Sequence, residues 1–483
     1  MIDLYTNLPA LLPEFILAIS GLFMLLILAF YKKPRDKLLS IFISTILLLA
    51  FFAEINISNN LQSYFSSLFV SDYYTIFMKS LVIGGAFLTF LISSGKVTIE
   101  DEIPHEYGLL ILFSVLGMLI MISAGSMLSL YLGLELQSLC LYILAAIRRD
   151  HFKSTEAGIK YFILGSFASG MLLYGMSLIY GFSGTVVFSE ISTLYSSHDF
   201  SPSFGMILGF VLFLVGLAFK IGAVPFHMWI PDVYEGSPTP VTAFFSVAPK
   251  IAAISVFLKV LIAVFADIQN YWQQIIIILS IASMVFGTFS ALNQTNIKRL
   301  MAYSAIAHVG FALVGVASGS EAGIKGVLLY MTIYLFMIVG IFSVILAMRR
   351  EKIELIEIEN FSGLSKSKPF LASCMAVFMF SMAGIPPLAG FFAKFYVFIP
   401  AIEAGLYFLV IVAILTTVVG AYYYLKIIKV MYFEELSEDI DSPISSQIKS
   451  VLFLTALFTL FFFANPNPFL ANTAKAASAL FFG

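Results

Sequence analysis

The sequence predicts an all-α polytopic membrane protein of about fourteen transmembrane helices. Three observations carry this reading: an apolar excess, a series of apolar runs of bilayer length, and an alternation of cationic and cation-poor loops. Of the 483 residues, 60% are apolar and 11% charged, and the mean hydropathy is +0.99. Soluble domains average roughly 45–50% apolar and about 25% charged residues. A soluble fold has too much surface per residue to bury such an excess.

The runs fall at residues 9–30, 38–54, 73–95, 107–124, 125–147, 158–182, 205–226, 240–264, 271–293, 299–318, 322–348, 369–400, 404–432 and 446–468. Each is long enough to cross a bilayer as a helix, which satisfies its own backbone in lipid. Spans four and five divide at Ser123–Ser126.

Cation placement supports the count. Loops after odd-numbered spans hold Lys32, Lys33, Arg35, Lys37, Lys96, Arg148, Arg149, Lys153, Lys298, Arg299, Arg349, Arg350, Lys352, Lys366, Lys368, Lys426, Lys429 and Lys449. Loops after even spans, with both termini, hold Lys475 alone. The positive-inside rule then places both termini outside and the odd loops in the cytoplasm. The long loops are not domains. Residues 349–368 are expected to form a short amphipathic interfacial helix or a contact for a neighbour, and residues 433–446 are acidic and polar. A single integral membrane domain, 1–483, is expected.

Composition also excludes function classes. A net charge of −2 leaves no basic footprint for nucleic acid. Cys140 and Cys374 sit in apolar runs with no CxxC or Cys/His cluster, which argues against zinc or iron–sulfur sites. No Gly-rich phosphate loop or dinucleotide fingerprint is present. No cleavable signal peptide is evident, since the first apolar run is long and its basic residues follow it.

Seven lysines remain within or beside spans: Lys79, Lys160, Lys220, Lys250, Lys259, Lys325 and Lys394. A charge at mid-bilayer costs at least ~2.5–3.5 kcal/mol and normally faces a partner or a water-filled path. Lys160 and Lys325, a few residues into their spans, read as snorkelling side chains. Lys79 and Lys259 read as structural. Lys220, Lys250 and Lys394 resist that explanation: Lys250 lies near mid-span, Lys220 precedes Pro225, and Lys394 follows Pro386-Pro387. Glu135 is the only acid expected deep in the membrane. His308 is deep in span ten, either as a packing residue or as a relay.

Proline inside a helix removes a hydrogen bond and clashes with the preceding turn. Spans seven and twelve are therefore expected to break, at FKIGAVPFHMWIP (219–231) and MAGIPPLAGFFAK (382–394). The breaks are five spans apart. This suggests two five-helix repeats, spans 4–8 (107–264) and 9–13 (271–432), inserted in opposite senses. Helices one to three (1–106) precede them, and helix fourteen with a tail (446–483) follows. Two tolerated proline kinks are the alternative.

These stretches resemble a known family. KIGAVPFHMWIPDVYEGSPTPVTAFFSVAPK (220–250) resembles the antiporter-like membrane subunits of proton-pumping NADH:quinone oxidoreductase, respiratory complex I. LYLGLELQSLCLYIL (130–144), KRLMAYSAIAHVGFALVG (298–315) and AGIPPLAGFFAKFYVF (383–398) support the resemblance, which covers nearly the whole chain. Among the sister subunits the N type is nearest. The chain ends after span fourteen, lysine rather than glutamate stands at 394, and PDVYEG follows span seven.

The resemblance implies roles residue by residue. Glu135 matches the family's span-five glutamate, Lys220 its lysine partner, Lys250 the central lysine and Lys394 the terminal one. His308 matches a histidine between the last two. His227, at the expected cytoplasmic end of span seven, and Lys259 are further relay candidates. No cofactor is implied in this chain; NADH, FMN, iron–sulfur clusters and quinone belong to partner subunits. The implied partners are other complex I membrane subunits, including sister antiporter-like ones, with lipid and protons, in a bacterial inner membrane.

Such a site needs ionisable groups of movable pKa. Desolvation lowers an amine's pKa from ~10.4, and a neighbouring carboxylate raises it. A Glu135–Lys220 pair would favour charge on the lysine, and separation would favour proton release towards Lys250, His308 and Lys394. Lys394 lies nearer the outer end of span twelve and suits an exit gate. Three rival readings remain. One is a monovalent cation/proton antiporter, alone or within a complex, and another is a structural anchor. The third is a redox enzyme in its own right, for which no cofactor motif exists.

Overall fold

The computed structural model describes residues 8–30, 36–57, 61–94, 104–196, 202–350, 353–435 and 444–482. Lys32, Lys33, Arg35, Lys96 and Lys352 lie outside the described residues, as does most of the acidic stretch within 433–446.

All fourteen expected spans are helical. Spans one to six are Leu12–Phe30, Asp36–Ile55, Tyr73–Ser93, Glu106–Ile122, Met127–Ala145 and Phe152–Ser183. Span seven is Phe204–Ile221 followed by a separate short helix, Trp229–Gly236. Spans eight to eleven are Thr239–Lys259 with a terminal π turn to Val264, Gln269–Ala291, Ile297–Ala317 and Glu321–Ala347. Span twelve is split into Pro369–Ala383 and Ala389–Glu403, and spans thirteen and fourteen are Tyr407–Phe433 and Ser446–Phe461. Spans four and five part at Ser123–Ser126, where Ser126 caps span five by accepting from the Ser129 amide.

Burial sorts the spans by position. Spans eight, ten and eleven are buried almost all round, whereas spans one, two, six, nine, thirteen and fourteen keep broad apolar faces exposed. Helices apolar on every side suit a bundle centre or a lipid contact. Spans four and five pack as a pair, as do spans nine and ten, and span seven lies along span six as span twelve lies along span eleven. Corresponding helices of the two five-span units thus meet corresponding partners.

The two breaks share a local design. Each first half-helix ends on a left-handed glycine, Gly222 (φ 77°) or Gly384 (φ 90°), a conformation costly for residues with a Cβ. The Trp229 indole donates to the Phe219 carbonyl at 3.1 Å, and Ser283 accepts from the Val224 amide at 2.9 Å. In span twelve Ser381 accepts from the Gly390 amide at 2.9 Å. Backbone groups freed by the prolines are thereby satisfied inside protein.

Three features depart from the sequence reading. Residues 349–368 form no single amphipathic helix. Arg349–Arg350 pairs with Ile353–Glu354 as a minimal hairpin, followed by short turns at Ile358–Phe361 and Leu364–Ser367. A second hairpin, Gln62–Tyr64 with Phe69–Ser71, lies between spans two and three. The tail contains a further helix, Asn467–Phe482, which buries Ala476, Ala477 and Leu480 and packs on spans three and eleven. It is too short to cross, and its alanine-rich face gives only a weak apolar signal.

Candidate proton-transfer site

Span five presents Glu135, Ser138 and Tyr142 at helical spacings of three and four, hence on one face. The Lys220 amine meets that face from the last turn of the first half of span seven. It donates to Ser138 Oγ at 2.7 Å and to the Tyr142 hydroxyl at 3.5 Å. The direct Glu135–Lys220 pairing expected from the sequence is not formed. Glu135 lies one turn away along span five, and its Oε1 is buried without a hydrogen-bond partner among the described residues. Lys220 thus sits in reach of Glu135 electrostatically but rests on neutral hydroxyls.

Lys250 follows Pro249 in the middle of span eight and is buried. Its amine has no hydrogen-bond partner among the described residues and lies 5.9 Å from the centre of the Tyr234 ring. Pro249 frees a carbonyl one turn back, and Ser246, one turn before Lys250, donates to the Thr242 carbonyl at 2.7 Å.

His308 is buried between two phenols. Its Nδ1 lies 2.5 Å from the Tyr330 hydroxyl, and its Nε2 3.2 Å from the Tyr424 hydroxyl, which in turn is 2.5 Å from Ser304 Oγ. The Tyr334 ring centre is 5.5 Å from the imidazole, and its hydroxyl is buried without a hydrogen-bond partner among the described residues. Both Lys250 and Lys394 lie within electrostatic reach of His308. The imidazole sits in a tyrosine–serine network that the sequence reading did not identify.

Lys394 begins in the second half of span twelve and reaches back across the break. Its amine donates to the Met382 carbonyl at 3.1 Å and the Ala383 carbonyl at 3.3 Å, and lies 4.8 Å from the centre of the Phe311 ring. A cation at a helix C-terminus is favoured by the carbonyl dipoles. Lys394 is thus a cap as well as a buried titratable group.

The remaining candidates lie apart. His227 sits within the break of span seven, rather than at the span's end, with its ring 4.4 Å from Phe286 and Nδ1 unpartnered among the described residues. Lys259 donates to the Ile122 carbonyl at 3.0 Å, closing the C-terminus of span four. Lys160 is partly exposed and pairs with Glu156 and Asp232, each at 2.7 Å, in keeping with snorkelling.

Two further places show burial that the sequence reading did not identify. Glu14 and Glu54, near the ends of spans one and two, are buried around Lys79. Lys298, assigned to a loop, is buried and donates to the Ser237 carbonyl at 2.7 Å. Both depend on neighbours distant in sequence, which periodicity does not reveal.

The cation-rich side of the bundle carries an ion-pair network. Arg299 pairs with Asp232 and Glu235 at 2.9 Å, and Lys153 with Glu235 at 2.9 Å. These groups, with Glu156, line a cavity of about 220 Å³. Burial alone would raise the pKa of Asp232, but hydrogen bonds from Lys160 and Arg299 outweigh it and hold the group below its ordinary value. Glu235 is likewise held low by Lys153 and Arg299, against the upward push of burial.

What these groups offer is proton transfer among amines, an imidazole and phenols, and no group of metal ligands is found among the described residues. Comparison with known proteins shows what the chain is similar to. Residues 124–420 match the family model described as NADH:quinone oxidoreductase/Mrp antiporter, TM. NADH-quinone oxidoreductase subunit N of Rhodospirillum rubrum is 50% identical over 474 residues, 98% of this chain and 97% of its own length. The subunit N of Paramagnetospirillum magneticum is 48% identical over 98% of each chain. A chain of respiratory complex I from Thermus thermophilus superposes with a TM-score of 0.82 at 29% identity, covering 96% of this chain and 99% of that one. A chain of the Mrp complex from Dietzia sp. superposes with a TM-score of 0.86 over 98% of both chains, and at 20% identity shows the fold alone. Full-length relatives at about half identity settle the matter of kinship: the chain belongs to the NADH-quinone oxidoreductase subunit N family.

Proposed function

We propose that this chain is a proton-translocating membrane subunit of a bacterial NADH:quinone oxidoreductase. It moves protons through Glu135, Lys220, Lys250, His308 and Lys394, driven by quinone reduction elsewhere in the complex. The observation that carries the reading is Lys250. A buried amine at mid-span with no hydrogen-bond partner among the described residues has no structural task visible around it, and burial of an isolated charge is costly. A group that gains and loses a proton there tolerates the site in its neutral form. Membership of the subunit N family supplies the context.

Lys220 starts the line. Held on Ser138 and Tyr142, it is poised one helical turn from Glu135. Moving towards Glu135 favours its charged form, and moving back favours release. Lys250 receives the proton, His308 passes it on through either ring nitrogen, and Lys394 delivers it at the break of span twelve. Lysine suits these positions because its protonation responds to burial, whereas arginine stays charged. His227 and Lys259 are side branches, at the break of span seven and at the end of span eight.

The cation-rich loops lie in the cytoplasm and both termini outside, in a bacterial inner membrane. Protons enter from the cytoplasmic side and leave towards the outer side. The two five-helix units are inverted repeats, residues 107–264 and 271–432. NADH, FMN, iron–sulfur clusters and quinone are held by partner subunits, and the exposed apolar faces meet lipid or sister antiporter-like subunits. Each proton moved against the potential costs ~2.3 kcal/mol per 100 mV, which this chain has no means of supplying alone.

Replacing Lys220 or Glu135 with alanine in the assembled complex tests the proposal. NADH-driven proton translocation should fall sharply while the complex stays assembled. An unchanged proton-to-electron ratio in both variants would overturn the assigned roles.

A further inference from the structure

A second group of buried charges lies off the axial line, where spans one, two and three meet on the side that carries the termini. Glu14 stands in the first turn of span one, Glu54 near the end of span two, and Lys79 in the second turn of span three. The Lys79 amine donates to Glu14 Oε1 at 2.6 Å and lies 3.9 Å from Glu54 Oε2. The three side chains are 1%, 8% and 1% exposed for Lys79, Glu14 and Glu54 respectively. The Phe69 ring of the first hairpin closes over the amine at 4.7 Å.

Charge counting makes this cluster unusual. One ammonium faces two carboxylates, so full ionisation would leave a net negative charge buried among apolar helices. Three of the four carboxylate oxygens, both of Glu54 and Oε2 of Glu14, have no hydrogen-bond partner among the described residues. Two carboxyl groups sharing one site retain a proton between them, because both cannot ionise cheaply.

We propose that Glu54 and Glu14, with Lys79 as their single counter-charge, form a proton-binding site that holds one exchangeable proton. This site is separate from the axial line, and its existence does not rest on that line's conducting protons. The other charged groups facing it are Asp72 and Lys259, both within electrostatic reach of the cluster. Asp72 is occupied in capping span three, where it accepts from the Thr75 amide at 2.7 Å. Lys259 is held on the Ile122 carbonyl. Neither neutralises the second carboxylate directly.

The hairpin is the cover. Val70 donates its amide to the Ser123 carbonyl at 2.7 Å, and Gly125 donates to the Leu68 carbonyl at 3.0 Å, so the hairpin is fixed to the turn between spans four and five. Exchange of the proton with the terminus-bearing face therefore passes Phe69.

Infrared difference spectra of the whole assembled complex, variant minus unmodified, test the proposal in the protonated-carboxyl region. With Glu54→Gln, one carboxylate and one ammonium remain and no extra proton is needed, so one carboxylic-acid band should be lost. Glu14→Gln should lose the same band for the same reason, and it carries the test if the first variant fails to assemble. Lys79→Met should instead add a second carboxylic-acid band. Persistence of the band in an assembled Glu54→Gln or Glu14→Gln variant would overturn the proposal and leave the cluster fully ionised.

Discussion

Lys394 donates its amine to the Met382 carbonyl at 3.1 Å, so the second half of span twelve closes the end of the first half with a side chain. The same amine contacts the Ala383 carbonyl, and a Cβ on Gly384 would lie 3.3 Å from it. Cap and titratable group are one atom. A change that removes the amine removes both roles, whereas one that keeps the charge separates them.

Arginine at this position makes that separation. Lys394→Arg keeps a donor for the freed carbonyls but stays charged at any physiological pH. The variant complex should assemble, with NADH-driven proton translocation reduced at least tenfold. Lys394→Met should lose translocation and also destabilise the break, by roughly 1–3 kcal/mol for unsatisfied carbonyls. Normal pumping in the arginine variant would show that Lys394 only caps.

Ser138 is the resting partner of Lys220. Removing it by Ser138→Ala deletes one hydrogen bond, about 1.5 kcal/mol for a charged donor. The amine is then freer to settle against Glu135, and the cycle should stall at that pair. A severalfold fall in proton translocation is expected, and Ser138→Ala/Glu135→Gln should do no better than Glu135→Gln alone, since both lack the carboxylate that the cycle needs. Flow-dialysis or pH-probe measurements on vesicles containing the complex read this directly, and an unaltered rate in Ser138→Ala counts against a mobile Lys220.

The phenols around His308 give a third test. Tyr330→Phe removes the hydroxyl 2.5 Å from Nδ1 while keeping the ring, and Tyr424→Phe removes the one at Nε2. If the imidazole passes protons through both nitrogens, each variant should slow translocation severalfold without loss of assembly. The double variant should approach His308→Gln. Equal rates in all four would assign His308 to packing.

These tests show what the linear sequence disclosed and what it did not. Bilayer-length runs and prolines are local, so the fourteen spans and both breaks were readable. Lys250 and Lys394 were readable too, because a lysine amid apolar residues is conspicuous. Partners were not. Ser138, Tyr330 and Tyr424 are ordinary membrane-helix residues until the fold brings Lys220 or His308 against them. Glu14 and Glu54 lie near span ends, where a charge normally reaches solvent, and only the packing of spans one to three and the hairpin encloses them. Lys298 was misplaced for the same reason, since the Ser237 carbonyl that draws it inward is 61 residues away in sequence.

Acid should loosen the cation-rich side through Asp232 and Glu235. Both are held below their ordinary values, 3.8 and 4.5, by Lys160, Lys153 and Arg299. A carboxylate whose folded pKa is depressed contributes stability that is fully present above its unfolded pKa and is lost as pH falls through the folded one. The stabilisation is therefore constant at neutral pH and declines only below about pH 4.5. Asp232→Asn removes the charge that bridges Lys160 and Arg299. Because these pairs are partly exposed, the cost at neutral pH should be modest, about 1 kcal/mol. Thermal unfolding of the solubilised complex, followed across pH, should show the variant less stable at pH 7 and the gap narrowing below pH 4. A gap that stays constant down to pH 3 would assign the loss to packing rather than to the ion pairs.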